Sequence, residues 1–117
     1  MTEAVQTTSA SRPWLGQYPE GMPTEIDTSK YENLTDLLSD SFKNFADRNA
    51  CVFMGKGFTY KLLNEQSQHL ASYLQQTGIK PGDRVAVMMI NVPQYLIAVG
   101  AILRIGAILV NVNPLYT

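Results

Sequence analysis

Few residues in this sequence of 117 combine a chemically useful type with a telling position, and the best placed are Asn111, Asn113 and Tyr116. They lie in and just after the apolar run Ile108 to Val112. Open parallel sheets bind ligands outside the carboxyl ends of their strands, so if that run is such a strand, these three are candidates for substrate contact. The competing reading is a turn, in which Asn113-Pro114 ends the strand and Thr117 caps a following helix.

Other suggestive residues are better explained by structure. Gly55-Lys56-Gly57-Phe58-Thr59 has a superficial likeness to a phosphate loop, but it lacks the earlier glycine and the Ser or Thr directly after lysine that cradle and metal contact require. A hairpin turn is expected there. Between Ile90 and Pro93 there is no run of close glycines, which disfavours a dinucleotide site. His69, the single histidine, is expected to be half-exposed on a helix, with no neighbouring Cys or second His to complete a metal site. Arg104 suits the last turn of a helix, where its charge complements the dipole. Asp83 and Arg84 read as a turn cap and the polar start of a buried strand. Cys51, the single cysteine, excludes an intrachain disulfide and a Cys-based zinc cluster, and is read as a small buried hydrophobe. The residues thus single out no catalytic group and no metal-ligand set.

The elements that would position Asn111, Asn113 and Tyr116 follow from periodicity. Val85 to Ile90 is a continuous apolar run of strand length, Pro93 opens a helix reaching about Ile105, Gly106 ends it, and Ile108 to Val112 is a second strand. Strand, crossover helix and strand imply a parallel pair joined in the right-handed sense. Between Val85 and Thr117 the only charge is Arg104. Both strands and the helix should therefore be covered on more than one side, and the unit is expected to continue in a larger α/β protein.

Upstream, Asn33 can cap a helix with Leu34, Leu37, Leu38, Phe42, Phe45 and Ala46 at helical spacing. Its polar, mostly acidic face argues against a membrane-surface helix. Ala50 to Met54 and Phe58 to Tyr60 read as a hairpin about Gly55-Lys56-Gly57. Thr59 then caps a helix from about Tyr60 to Thr77, with Leu62, Leu63, Gln66, Leu70, Tyr73 and Leu74 on one face and Gly78 closing it. Residues 1–32 are rich in Ser, Thr, Pro and Gly. They read as an extended N-terminal arm with spaced anchors at Trp14, Leu15, Tyr18, Met22 and Ile26, preceded by a mobile lead-in at Met1 to Ser11. Residues 33–117 read as an incomplete α/β subdomain.

Composition narrows the function. With 45% apolar residues and a formal net charge of −1, the sequence is that of an ordinary globular protein and gives no electrostatic reason to bind nucleic acid. No secretory signal opens it, so the Asn33-Leu34-Thr35 sequon is taken as chance. Asn91, Pro93 and Gln94 divide the uncharged run Val85 to Leu103 into pieces too short to span a bilayer.

Several of these residues also carry a family resemblance. Trp14-Leu15-Gly16-Gln17-Tyr18-Pro19 with Pro23-Thr24-Glu25-Ile26, then Phe58-Thr59-Tyr60, Gly82-Asp83-Arg84-Val85-Ala86, Asn91 with Gln94-Tyr95, and Ile102-Leu103-Arg104 through Tyr116-Thr117 resemble the N-terminus of bacterial long-chain fatty-acid:CoA ligases. Thr-Tyr, Gly-Asp-Arg-Val and the Asn-Pro turn are shared across AMP-forming acyl-activating enzymes. The Trp-Leu arm and Asn-Val-Asn-Pro-Leu-Tyr-Thr point to the long-chain group. Leu62 departs from the wider pattern, where Glu would complete a capping box with Thr59.

The resemblance implies an α/β fold: an N-terminal fragment of an adenylate-forming enzyme, with an extended arm, a β-hairpin and a parallel βαβ unit. It implies that the parent protein joins ATP and a long-chain fatty acid into an acyl-adenylate with Mg²⁺, then passes the acyl group to CoA, in the cytoplasm and with peripheral contact at the inner membrane. In this family the catalytic groups lie on a Ser/Thr/Gly-rich loop, a Glu, a ribose-binding Asp and a C-terminal lysine. None of these motifs occurs between Met1 and Thr117. No catalytic, cofactor-binding or metal-binding residue is therefore assigned, the segment alone is expected to be inactive and to bind none of these cofactors, and its first partner is the remainder of the same polypeptide. The alternative is a non-catalytic binding or interaction module that has kept this part of the fold.

Overall fold

The computed structural model describes residues 12–116. The expectations for Met1 to Ser11, and for Thr117 as a helix cap, lie outside the described residues. The chain divides between Lys30 and Tyr31 into two compact units.

In the first unit Pro13 opens a short 3₁₀ helix, Pro13–Gln17, as its fixed φ favours. Arg12 and Glu25 form an ion pair. Asp27 accepts hydrogen bonds from the Ser29 hydroxyl at 2.6 Å and the Ser29 backbone N–H at 2.9 Å. These hold its carboxyl below the ordinary range. Trp14, Tyr18, Met22 and Ile26, expected to be anchors, are all exposed.

The second unit runs α1 (Leu34–Asn44), β1 (Asn49–Phe53), β2 (Lys56–Thr59), α2 (Tyr60–Gln76), β3 (Arg84–Val87), α3 (Pro93–Arg104) and β4 (Ile108–Asn111). Helix starts follow their caps. Asn33 accepts from the Asp36 N–H at 2.9 Å and donates back to the Asp36 carboxylate at 3.0 Å, while Thr59 accepts from Leu62 N–H at 3.1 Å. At the end of α2, Gly78 takes φ +98°, its N–H reaches the Gln75 carbonyl and the Ile79 N–H reaches that of Leu74. This is the left-handed closure expected for Gly78.

The hairpin differs from expectation in its turn. Phe53 pairs with Lys56, so the two-residue turn is Met54-Gly55 rather than Gly55-Lys56-Gly57. Both turn residues have positive φ, +49° and +76°, as a tight hairpin twisting with its strands requires. Gly57 lies within β2, where a Cβ would sit 2.6 Å from the Asn49 carboxamide.

The face of α2 is also corrected. Leu63, Ser67 and Ala71 are buried, whereas Gln66 and Tyr73, expected on that stripe, are exposed. Small residues face inward because α3 crosses there at Gly100, where a Cβ would lie 3.1 Å from that of Ser67. The main core joins Ala71 to Ala98, Ala101, Ile102 and Ile105 of α3 and its end, with Val87 and Ala107 beside the strands. Phe42 of α1 is buried too, with its ring edge-on to Tyr60 at 6.5 Å between centroids.

β3 and β4 pair in parallel, Arg84 with Ile108 through Val87 with Asn111. The crossover that a parallel pair requires is supplied by α3, which lies between the strands in sequence and packs against both. β3 is shorter than the expected Val85 to Ile90. Its ladder ends where the Val112 N–H reaches the Val87 carbonyl at 3.0 Å, and Met88, Met89 and Ile90 run on exposed. Val85, Val87 and Leu109 turn to the helices. Ala86, Ile108 and Val110 form the opposite face, which is uncovered among the described residues. The surface expected to need further cover therefore lies on the sheet rather than on α3, where Leu96, 40% exposed, is the one large apolar side chain in the exposed class. No described helix is long and apolar enough to cross a membrane.

Candidate functional site

The ends of β3 and β4 open into a cleft of about 380 Å³ whose walls include Asn91, Tyr95, Asn111, Asn113 and Tyr116. The fold thus brings the three sequence-predicted residues together, at the carboxyl end of a parallel pair. They differ in what they have left to offer. Asn111 ends β4, and its Oδ1 accepts from the Tyr95 hydroxyl at 2.9 Å. Asn113 is engaged in a turn: its Oδ1 accepts from the Leu115 N–H at 2.9 Å and its carbonyl from the Tyr116 N–H at 3.1 Å. Tyr116 stands at the rim, 75% exposed, and its phenol has no hydrogen-bond partner among the described residues.

Two wall residues were missed as site candidates. Asn91 directly follows the apolar run that contains β3, and Tyr95 is the third residue of a helix opened by Pro93. A polar residue after a strand and an aromatic in the first turn of the crossover helix were the available signals. Both also line a second, more apolar cleft of about 230 Å³, bounded by Cys51, Phe53, Val92 and Leu96. Cys51 is a half-buried free thiol there.

The remaining polar candidates serve the scaffold. Arg104 reaches across to α2, donating from Nη2 to Asn64 Oδ1 at 2.6 Å and Ser67 Oγ at 3.4 Å. The Thr35 hydroxyl ties α1 to the Leu103 carbonyl at 3.2 Å. Asp83 closes its turn, with Oδ2 accepting from the Lys80 N–H at 2.8 Å and its carbonyl from the Ile108 N–H at 2.7 Å. Arg84 begins β3 and is exposed. Lys56 lies 5.7 Å from the Phe58 ring centroid on the hairpin. His69 is exposed rather than half-exposed, because it falls on the outer side of α2 opposite Ser67 and Ala71. Among the described residues no three His, Cys, Asp or Glu side chains converge to hold a metal.

The cleft can offer amide and phenol hydrogen-bonding groups beside an apolar wall, an arrangement suited to orienting a ligand rather than to proton or group transfer. A profile described as AMP-binding enzyme matches residues 38–117. The long-chain-fatty-acid–CoA ligase of Escherichia coli O157:H7 is 50% identical over 105 residues, and that of Bacillus subtilis is 40% identical over 108. These matches take in 89% and 92% of this chain but 19% of each ligase. The chain therefore spans about a fifth of the length of the curated relatives it matches. The N-terminal subdomain of Klebsiella oxytoca NpsA, solved in complex with 3-hydroxyanthranilyl-AMSN, superposes with a TM-score of 0.71 at 32% identity, over 74% of this chain and 22% of that one. With most of its length matched to the family profile and its fold matched to an adenylation-enzyme subdomain, this chain belongs to the AMP-binding enzyme family.

Proposed function

We propose that the protein carrying this chain is a long-chain fatty-acid:CoA ligase and that this chain forms part of its AMP-binding domain. In such a reaction the fatty carboxylate attacks the α-phosphorus of ATP and pyrophosphate leaves. The CoA thiol then attacks the acyl carbonyl and AMP leaves. The observation that carries the reading is the reach of the ligase similarity. An alignment over 105 residues cannot fit within Tyr31–Thr117 and must enter the arm, whereas the NpsA likeness covers only 74% of the chain. The arm that holds Trp14 thus favours the long-chain group over other members of the family.

Within that protein Asn111, Asn113 and Tyr116 lie near substrate, and the reacting groups come from other parts of the polypeptide. The work is done in the cytoplasm, with peripheral contact at the inner membrane where a long-chain acid partitions. The test is AMP formation by the full-length protein across carboxylic acids from acetate to oleate. Each buried methylene contributes roughly 0.8 kcal/mol, so catalytic efficiency should rise by up to about fourfold per methylene until the acyl site is full. Highest efficiency with acetate or benzoate, and none with long chains, would refute the substrate class.

A further inference from the structure

We infer that Tyr95 is a positioning residue that presents the Asn111 amide as a hydrogen-bond donor to an anionic oxygen in the cleft at the ends of β3 and β4. The inference rests on the ligase reading for the identity of its ligands. Tyr95 is itself firmly placed. Buried Pro93 opens α3, the Tyr95 N–H reaches the Val92 carbonyl at 3.0 Å, and the ring packs against the main core. Its hydroxyl meets Asn111 Oδ1 at 2.9 Å. The backbone of Asn111 is fixed independently, because it pairs with Val87 and the next N–H closes the ladder.

A carboxamide has one acceptor oxygen and one NH₂ donor group. With the oxygen engaged by Tyr95, the group left to a ligand is the NH₂, which has no hydrogen-bond partner among the described residues. A donor of this kind suits a carboxylate or a phosphoryl oxygen, the two anionic oxygens that an acid and ATP would bring. Asn113 differs in that its oxygen is held within its own turn, by the Leu115 N–H, so that of the two only Asn111 has its amide set by a side chain from another element.

The test uses the full-length protein and equilibrium dialysis with oleate and, separately, with ATP, beside steady-state kinetics and melting temperature. Asn111→Asp keeps an acceptor for Tyr95 but replaces the donor with negative charge. It should weaken one of the two ligands by roughly tenfold or more and leave the other within about twofold, without lowering the melting temperature. Loss of oleate assigns the donor to the carboxylate, and loss of ATP assigns it to phosphate. Tyr95→Phe should weaken the same ligand by about threefold, and the double variant should bind no worse than Asn111→Asp alone. If both ligands bind the variants as they bind wild type, in a protein that turns over, the inference is overturned and the ligase reading stands. If wild type binds neither ligand and makes no AMP, both are overturned.

Discussion

Replacing Gly100 with alanine sets two effects of known size against each other. In a helix interior the change should stabilise by about 1 kcal/mol, because glycine carries the larger backbone entropy cost. At this position the new methyl would stand 3.1 Å from Ser67 Cβ, 3.3 Å from its Oγ and 3.8 Å from Phe42 Cζ. A rotamer change would move the hydroxyl but not Ser67 Cβ, which is fixed to the α2 backbone. Ser67 is also fully buried, so relief has to come from α2 and α3 parting by several tenths of an ångström. Overpacking of this kind costs roughly 1–3 kcal/mol. The expected net result is a loss of about 1 kcal/mol for Gly100→Ala, and of about 3 kcal/mol or more for Gly100→Val, which adds two methyls and β-branching. Urea unfolding of the full-length protein, followed by far-ultraviolet circular dichroism, gives the shift in the first transition. Gain of the full propensity term by Gly100→Ala would refute the reasoning, because it would mean that the helices separate without cost.

Three further outcomes are expected. Met54→Gly should stabilise the hairpin by up to about 1 kcal/mol, since Met54 sits at φ +49° where glycine is unstrained; a lower melting temperature would show that the Met54 side chain contributes more than its exposure suggests. Arg104→Met and Asn64→Leu should each destabilise, and a double-mutant cycle between them should give a coupling of about 1–2 kcal/mol because of their 2.6 Å hydrogen bond; additive effects would remove Arg104 as the link between α2 and α3. The polypeptide Met1–Thr117 on its own should release no pyrophosphate from ATP, Mg²⁺ and fatty acid and should self-associate through the uncovered face of Ile108 and Val110; turnover, or a monodisperse monomer in sedimentation velocity, would contradict one or the other.

What could be read from sequence was what local chemistry decides. Asn33, Thr59 and Pro93 mark the helix starts, and Gly78 and Gly106 their ends, because caps and left-handed closures are settled within a few residues. The inward face of α2 was misjudged because Gln66 and Tyr73 fit the helical period as well as Ser67 and Ala71 do. Only the close crossing at Gly100 selects the small pair. The turn was misplaced because Gly55-Lys56-Gly57 offers two glycines, while strand register puts Met54 in the strained position instead. The gathering of Asn111, Asn113 and Tyr116 was legible because one strand end carries all three. The part played by Tyr95 was not, since it depends on α3 returning its first turn to the end of β4, sixteen residues away.

The stitching of β3 to β4 also has a kinetic meaning. Gly82 N–H bonds the Gly106 carbonyl, and Ile108 N–H bonds the Asp83 carbonyl, so the turns ahead of the two strands are joined as well as the strands themselves. None of these bonds can be made by sequence neighbours. They form only after the crossover has ordered and brought its far end back, so the entropy of closing that loop is lost before the ladder returns any energy. The hairpin can gather early, through contacts between residues close in sequence. The parallel pair, and with it the cleft at its end, is therefore expected to form after the hairpin, once α3 has ordered.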